Sequence, residues 1–450
     1  MTISFFYSIF NNVNKITEIQ TFDVRRDEHN MINKKYRKKL MVALAVTILA
    51  GNMVACQKTE DTNLKNNNAT EVTYLKTFFD IELKNENVSV EEFNQALQKL
   101  GSDVIVEGEL TYLSAVKAAI KAANFEELAL SYPENKVTDS LKSHGIKESI
   151  SADYSAFLAC AIDTGILTKE EGIIASNNNS ISKSTADSLL MKIATHNGDT
   201  RNYLASSNDP EIYAKLDHAW NSFLLFDDAS LSEIGKMAVQ NKIVTGFNIK
   251  NEAYNANFLP ELTLQYGHSD IKHAHQLIGL LNSEGIEAKV QLEPKVSIYE
   301  YLLEWGPIPE STPTYEVKKF SDDLYLTYAV EYDLQLEFSN QEDMDRFNDV
   351  VEAYAKKYEG NEEAKGLIYG SWWQPLYSTK RLDMPKELYN NIGDLVIENG
   401  MYSLHTFYLP EDKDAVVNQL QEVAGDLTAK TEDRVVNKAF YHYLTGEDFQ

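Results

Sequence analysis

Residues 262–292 read LTLQYGHSDIKHAHQLIGLLNSEGIEAKVQL. Leu262–Tyr266 alternates apolar and polar residues, the period of a strand with one covered face. Ser269 and Asp270 can cap a helix. Ala274, Leu277, Ile278 and Leu281 then share one helical face. Gly285 stops that helix, and Ile286–Leu292 alternates again. The stretch therefore reads as a βαβ unit. Two further sets follow the same plan. Tyr325–Phe338 alternates Tyr, Val and Leu with polar residues, ahead of a helix over 341–358. Tyr402–Leu409 precedes a helix over 411–424. Such βα units, with strands that suit antiparallel pairing, predict an α+β region over 255–450 built of ferredoxin-like βαβ units. Two small subdomains are expected in it, 255–360 and 361–450.

Upstream the period is helical, and 72–250 is expected to be an α-helical, repeat-like domain. Ser89-x-x-Glu92 is a capping-box pattern. Phe93, Ala96, Leu97 and Leu100 follow on one face. Ser182 leads Ala186, Leu189, Leu190 and Ile193 at identical offsets. A second pattern joins Tyr112, Ala115, Val116, Ala119 and Ile120 to Tyr154, Phe157, Leu158, Ala161 and Ile162. Leu231, Ile234, Gly235, Ala238 and Val239 repeat it. The fold class read from the whole chain is α+β, helical first.

The chain has 450 residues, with 42 basic against 68 acidic, a net charge of −26. Phosphate backbones need a cationic face, so a nucleic-acid partner is disfavoured. Two Cys exclude a disulfide scaffold and any Cys-rich zinc site.

The N-terminal region is an address. Residues 34–39 read KKYRKK, residues 40–50 read LMVALAVTILA, and Met53-Val54-Ala55-Cys56 follows. A basic segment, a short apolar run and small residues before a cleavage point make a secretory signal. The apolar run is too short to span a membrane, which takes about 20 residues. The competing reading is a buried core helix. Residues 1–30 carry Asp23, Asp27 and Glu28 ahead of the basic segment, and Met31 is the expected start. The segment 31–55 is then the signal peptide. Residues 56–71, rich in Asn and charge, are expected to form a flexible tether.

Met53-Val54-Ala55-Cys56 resembles the bacterial lipobox, with Met where Leu is commoner. The resemblance implies that Cys56 becomes the acylated first residue of the mature protein, holding it to a membrane by lipid. Gln57-Lys58-Thr59-Glu60-Asp61 is similar to the export signal of Bacteroidetes surface lipoproteins, apart from Thr59. It implies an outer-membrane anchor with the protein exposed at the cell surface. The two alternating helix types over 85–250 resemble S-layer homology repeats, best in 154–194. The glycan-pocket Arg of that family falls on Lys183 in one copy and Val90 in another. Any domain of helix–loop–helix pairs shows similar spacing. Residues 262–292 resemble the first half of a SPOR domain, a glycan-binding module. Ile298–Val317, with Gly306-Pro307-Ile308-Pro309 and Pro313, interrupts that likeness, and no binding residue carries across.

Candidate sites are few. Tyr369-Gly370-Ser371-Trp372-Trp373-Gln374-Pro375-Leu376-Tyr377 holds two of the four Trp. Aromatic faces on a loop stack on sugars or anchor a partner. Tyr369, Trp372, Trp373 and Tyr377 are therefore the candidate ligand-binding residues, with Trp305 on the same surface. The alternative is packing at a domain contact. His268, His273 and His275 form the densest His cluster, but His273 and His275 diverge on a helix. Cys160 sits among Ala residues and reads as a small core residue, with His196 its nearest His in sequence. No catalytic residue, metal site or cofactor motif is identified. The function expected is a non-enzymatic, lipid-anchored envelope protein that binds cell-wall or surface glycan or another envelope component. The alternative is a surface hydrolase acting on polysaccharide or peptide through carboxylates.

Overall fold

A computed structural model describes residues 69–146, 149–353 and 376–446. The signal, Cys56, Tyr369, Trp372 and Trp373 lie outside the described residues. The chain divides into two compact units, one ending at Thr200 and the other running from Arg201.

The first unit is helical. Ser89, Thr111, Thr168 and Ser182 each open a helix by accepting a backbone N–H of its first turn. Such caps each contribute about 1 kcal/mol. Tyr112–Ala122 is the central helix, and most of its circumference is buried. Its Ala115, Ala118, Ala119 and Ala122 are small enough for neighbours to close in on every side. Helices Ala152–Asp163 and Lys183–Asn197 pack against it, burying Phe157, Leu158, Leu189 and Leu190. Cys160 is fully buried in Ala152–Asp163.

Among the described residues the second unit carries ten strands: β1 Ala205–Ser206, β2 Gly246–Asn251, β3 Thr263–His268, β4 Ala288–Glu300, β5 Tyr315–Lys319, β6 Tyr325–Phe338, β7 Tyr377–Thr379, β8 Tyr389–Asn399, β9 Tyr402–Tyr408 and β10 Thr428–Asn437. They join in the order β1-β4-β2-β9-β8-β10-β7-β3-β6-β5, and β4 also pairs with β6. That last pairing closes eight strands, β4 round to β6, into an antiparallel barrel. β1 and β5 are extra strands on β4 and β6. Pairing of β4 with β6 runs from Ala288↔Phe338 to Glu300↔Leu326. On its other side β4 meets β1 at Lys289 and Val290, then β2 from Lys295 to Tyr299. Pro294 falls between those partners, where a missing N–H is tolerated.

Alternation explains why the sheet closes. Along β6, Leu326, Tyr328, Val330, Tyr332, Leu334, Leu336 and Phe338 point outward and are buried under helices. Helices Ile212–Ser222, Ile271–Ser283 and Gln341–Glu352 cover one apolar cluster, around Leu277, Leu334 and Phe347. Helices Ala229–Gln240 and Lys413–Ala424 cover the other, around Leu231, Ile249 and Leu420. Full burial of each Leu or Phe contributes about 1.5–3 kcal/mol. The intervening residues of β6, Thr327, Glu331, Asp333, Gln335 and Glu337, turn inward.

This corrects the ferredoxin-like α+β expectation for 255–450. The strands of 255–360 and 361–450 do not build separate βαβ subdomains. They interleave in one closed barrel, and β2, upstream of 255, is one of its staves. The polar face of each stave faces the polar faces of the other staves. Helices Ile212–Ser222 and Ala229–Gln240 belong to the barrel unit, so along the chain that unit begins at Arg201 rather than near 250.

Candidate functional site

The inward residues of the barrel form a charge network. Asp333 is its centre, at 1% exposure. Its carboxylate takes Lys250 at 2.5 Å and Lys295 at 2.8 Å. Burial alone would raise its pKa, but the two ammonium groups outweigh it and hold the carboxyl far below the usual range. Glu293 lies beside this trio, its oxygens accepting from Ala256 N at 2.8 Å and Gln335 Nε2 at 2.8 Å. Burial pushes the Glu293 pKa up, with Lys250 opposing. Glu337 binds Arg201 at 2.6 Å and Lys289 at 3.2 Å, and accepts from Leu259 N at 2.7 Å.

A second network runs through β8, β9 and β10. Asp394 Oδ2 meets His405 Nδ1 at 3.0 Å and Arg434 Nε at 3.1 Å. Desolvation is again overcome, here by His405 and Arg434, and the Asp394 pKa falls to about 2. His405 Nε2 lies 3.0 Å from Ser403 Oγ, which donates its proton to Glu252. The order Asp–His–Ser matches a hydrolytic triad. Two features set it apart. Ser403 is completely buried, so no substrate carbonyl can reach it in this conformation. Its O–H is also committed to Glu252 rather than to His405. The arrangement works as a structural hydrogen-bond chain from the rim at Glu252 to the interior at Asp394.

An accessible feature lies in the helical unit. A cleft of about 880 Å³ opens between loop 100–107 and the helix Tyr112–Ala122. Pockets for small ligands run about 300–1,000 Å³. Asn94 sets one wall, accepting from Val106 N at 2.9 Å and donating to Val106 O at 3.1 Å. The floor comes from Lys117 and Lys121, one helical turn apart and therefore on one face, with Ala118 beside them. Tyr154 and Asn197 close the far side. Lys121 pairs with Glu126 at 2.7 Å. The Lys117 ammonium instead lies 5.6 Å from the Tyr154 ring centre and 5.2 Å from that of Phe157.

Of the candidate ligand-binding residues singled out from sequence, Tyr377 and Trp305 are among the described residues. Tyr377 is fully buried, its hydroxyl donating to Asn348 and its ring packed on Phe347 and Tyr389. It is a core residue and cannot line a binding surface. Trp305 stands edge-on to Tyr301 in the turn Leu303–Trp305. The three histidines separate by role. His268 and His273 stack at 4.0 Å between ring centres, while His275 faces Asp217 at 3.1 Å. Desolvation, with His273 adding to it, drives the His268 pKa down to about 3. Among the described residues no cluster of three or more metal-ligating side chains forms. His196 packs on Phe125, not on Cys160. Sequence reasoning missed the cleft. The available signal was Lys117 and Lys121, two cations on a helix made mostly of Ala and aliphatic residues.

No protein-family model, curated protein or solved structure matches this chain.

Proposed function

We propose that this chain is a non-enzymatic envelope lipoprotein that binds cell-wall or surface glycan, or another envelope component, in the cleft of its helical unit. The observation that carries the reading is the cleft itself. It is open, of ligand size, and lined by amide, hydroxyl and charged side chains beside the Tyr154 ring. Saccharides are recognised by this mixture of hydrogen-bonding groups and an aromatic face. Cys56 carries the lipid that tethers the protein to the outer membrane, on its outer side, in keeping with the lipobox and the residues after it. Three buried carboxylates of the barrel count against the hydrolase alternative. Asp333, Glu337 and Asp394 are each committed to cations, and none is free to exchange a proton with a substrate.

The test uses the detergent-solubilised, full-length lipoprotein and polysaccharide purified from the envelope of the cells that make it. Saturable binding that is lost in Tyr154→Ala, with the fold intact by circular dichroism, supports the reading. Binding that Tyr154→Ala leaves unchanged, or its absence from every envelope polysaccharide fraction, removes the cleft as the site. Labelled palmitate on the wild type, and none on Cys56→Ala, checks the anchor.

A further inference from the structure

The geometry points to an acidic saccharide as the ligand of this cleft, with its anionic group held by Lys117. The inference rests on the glycan-binding reading above and adds the charge of the ligand. It starts from an imbalance. The chain carries 68 acidic residues against 42 basic ones, and several lysines of the helical unit pair with a carboxylate. Lys121, one turn along the same helix, has Glu126 at 2.7 Å. Lys192 has Glu171, and Lys136 has Asp163. Lys117 is half-buried in the cleft, and among the described residues it makes no ion pair with a carboxylate. The rings of Tyr154 and Phe157 support its stem and ammonium from one side. A supported, partly desolvated and unneutralised cation binds an anion better than a freely hydrated one.

The other charged groups of the cleft fit a sugar that carries the anion. Asp103 and Glu107 stand on the opposite wall, both exposed on loop 100–107. They repel a bare polyanion but accept hydrogen bonds from hydroxyl groups. Glu126 is held by Lys121. Asn124 and Asn197, joined at 3.4 Å, add amide donors and acceptors. The arrangement offers one anion position beside several hydroxyl positions. A saccharide bearing a single carboxylate or phosphate per few sugars fills both.

The experiment takes the envelope polysaccharide that binds the full-length lipoprotein and divides it into three samples. One is untreated, one has its carboxyl groups reduced to alcohols, and one is dephosphorylated with aqueous hydrogen fluoride. The expected result is at least a ten-fold loss of affinity in one treated sample, which identifies carboxylate or phosphate as the anion. Lys117→Met should lower affinity for the untreated sample by about ten-fold and abolish the difference between samples. Lys117→Arg should keep most of both. Equal wild-type affinity for all three samples overturns the inference while leaving glycan binding in place. Lys117→Met that still distinguishes the samples places the anion elsewhere and overturns it too. Failure to bind any untreated polysaccharide overturns this inference and the reading beneath it.

Discussion

Asp333 and Lys295 meet at 2.8 Å inside the barrel, and the same carboxylate also holds Lys250 on the neighbouring stave β2. One anion thus joins three strands, β6, β4 and β2. Its value lies less in attraction than in what its loss exposes. Without it two ammonium groups stay buried with too few acceptors. Asp333→Asn should destabilise the barrel unit by about 3–5 kcal/mol, the usual cost of breaking a buried ion pair from one side. Urea denaturation of wild type and variant measures it. A loss below about 1 kcal/mol would mean that water enters the barrel and solvates the lysines.

Acid should act on both buried networks. Asp394 and Asp333 both titrate below their unfolded values, so the stability they contribute is complete above the unfolded pKa of about 3.9. It is lost as pH falls through the folded values. For Asp394, held at about 2, that loss lies between roughly pH 4 and pH 2 and is on the order of 2 kcal/mol. Glu293, pushed up by burial, works in the opposite direction but at higher pH, above its unfolded value, before the loss at Asp394 begins. Melting temperature against pH should therefore fall steeply below about pH 4, and less steeply in Asp394→Asn. An unchanged slope in that variant would remove Asp394 from the account.

The chain Asp394–His405–Ser403–Glu252 separates a structural role from a catalytic one. A buried hydroxyl between two partners costs about 1–3 kcal/mol when removed. Ser403→Ala should show that loss in thermal unfolding while glycan binding persists. A fluorophosphonate probe should leave the wild-type protein unlabelled, because Ser403 is enclosed and donates to Glu252. Labelling at Ser403 that disappears in Ser403→Ala would instead revive the hydrolase reading.

Individual elements were legible in the sequence where the period was long. Ala274, Leu277, Ile278 and Leu281, picked from spacing, are all buried under the barrel wall. Closure was not legible, because it depends on short staves. β7 is only Tyr377–Thr379, and its first residue was read as the end of an aromatic loop. Yet β7 alone joins β10 to β3. β2 was likewise absorbed into a helical repeat. Gly235 shows how that repeat misled. It occupies the offset of Val116 and Leu158, but in the helix Ala229–Gln240 a Cβ there would lie 2.4 Å from the Phe247 ring. The shared spacing thus reflects two different packing demands, helix on helix in the first unit and helix on strand in the second. The cleft stayed hidden because loop 100–107 has no period at all.

Among the described residues Asn94 is the one side chain outside that loop that hydrogen-bonds its backbone, which makes the cleft testable without touching its lining. Asn94 bonds both the N–H and the C=O of Val106, from a helix otherwise fixed by Phe93 and Leu97. No other side chain among the described residues makes this bridge. Asn94→Ala keeps a good helix former at the position but frees both backbone groups. Losing two hydrogen bonds at a part-buried site should cost about 1–2 kcal/mol in the helical unit. The larger effect falls on the cleft, because its wall at Asp103 and Glu107 is no longer set in place. Glycan affinity should drop several-fold, mainly through faster dissociation, as ordering the loop becomes part of the binding cost. Amide hydrogen exchange over 100–107 should rise in the free variant and return toward wild type with polysaccharide bound. Full affinity in Asn94→Ala, with fast exchange over 100–107, would show that the loop wall contributes nothing to binding and confine the site to the helix face bearing Lys117.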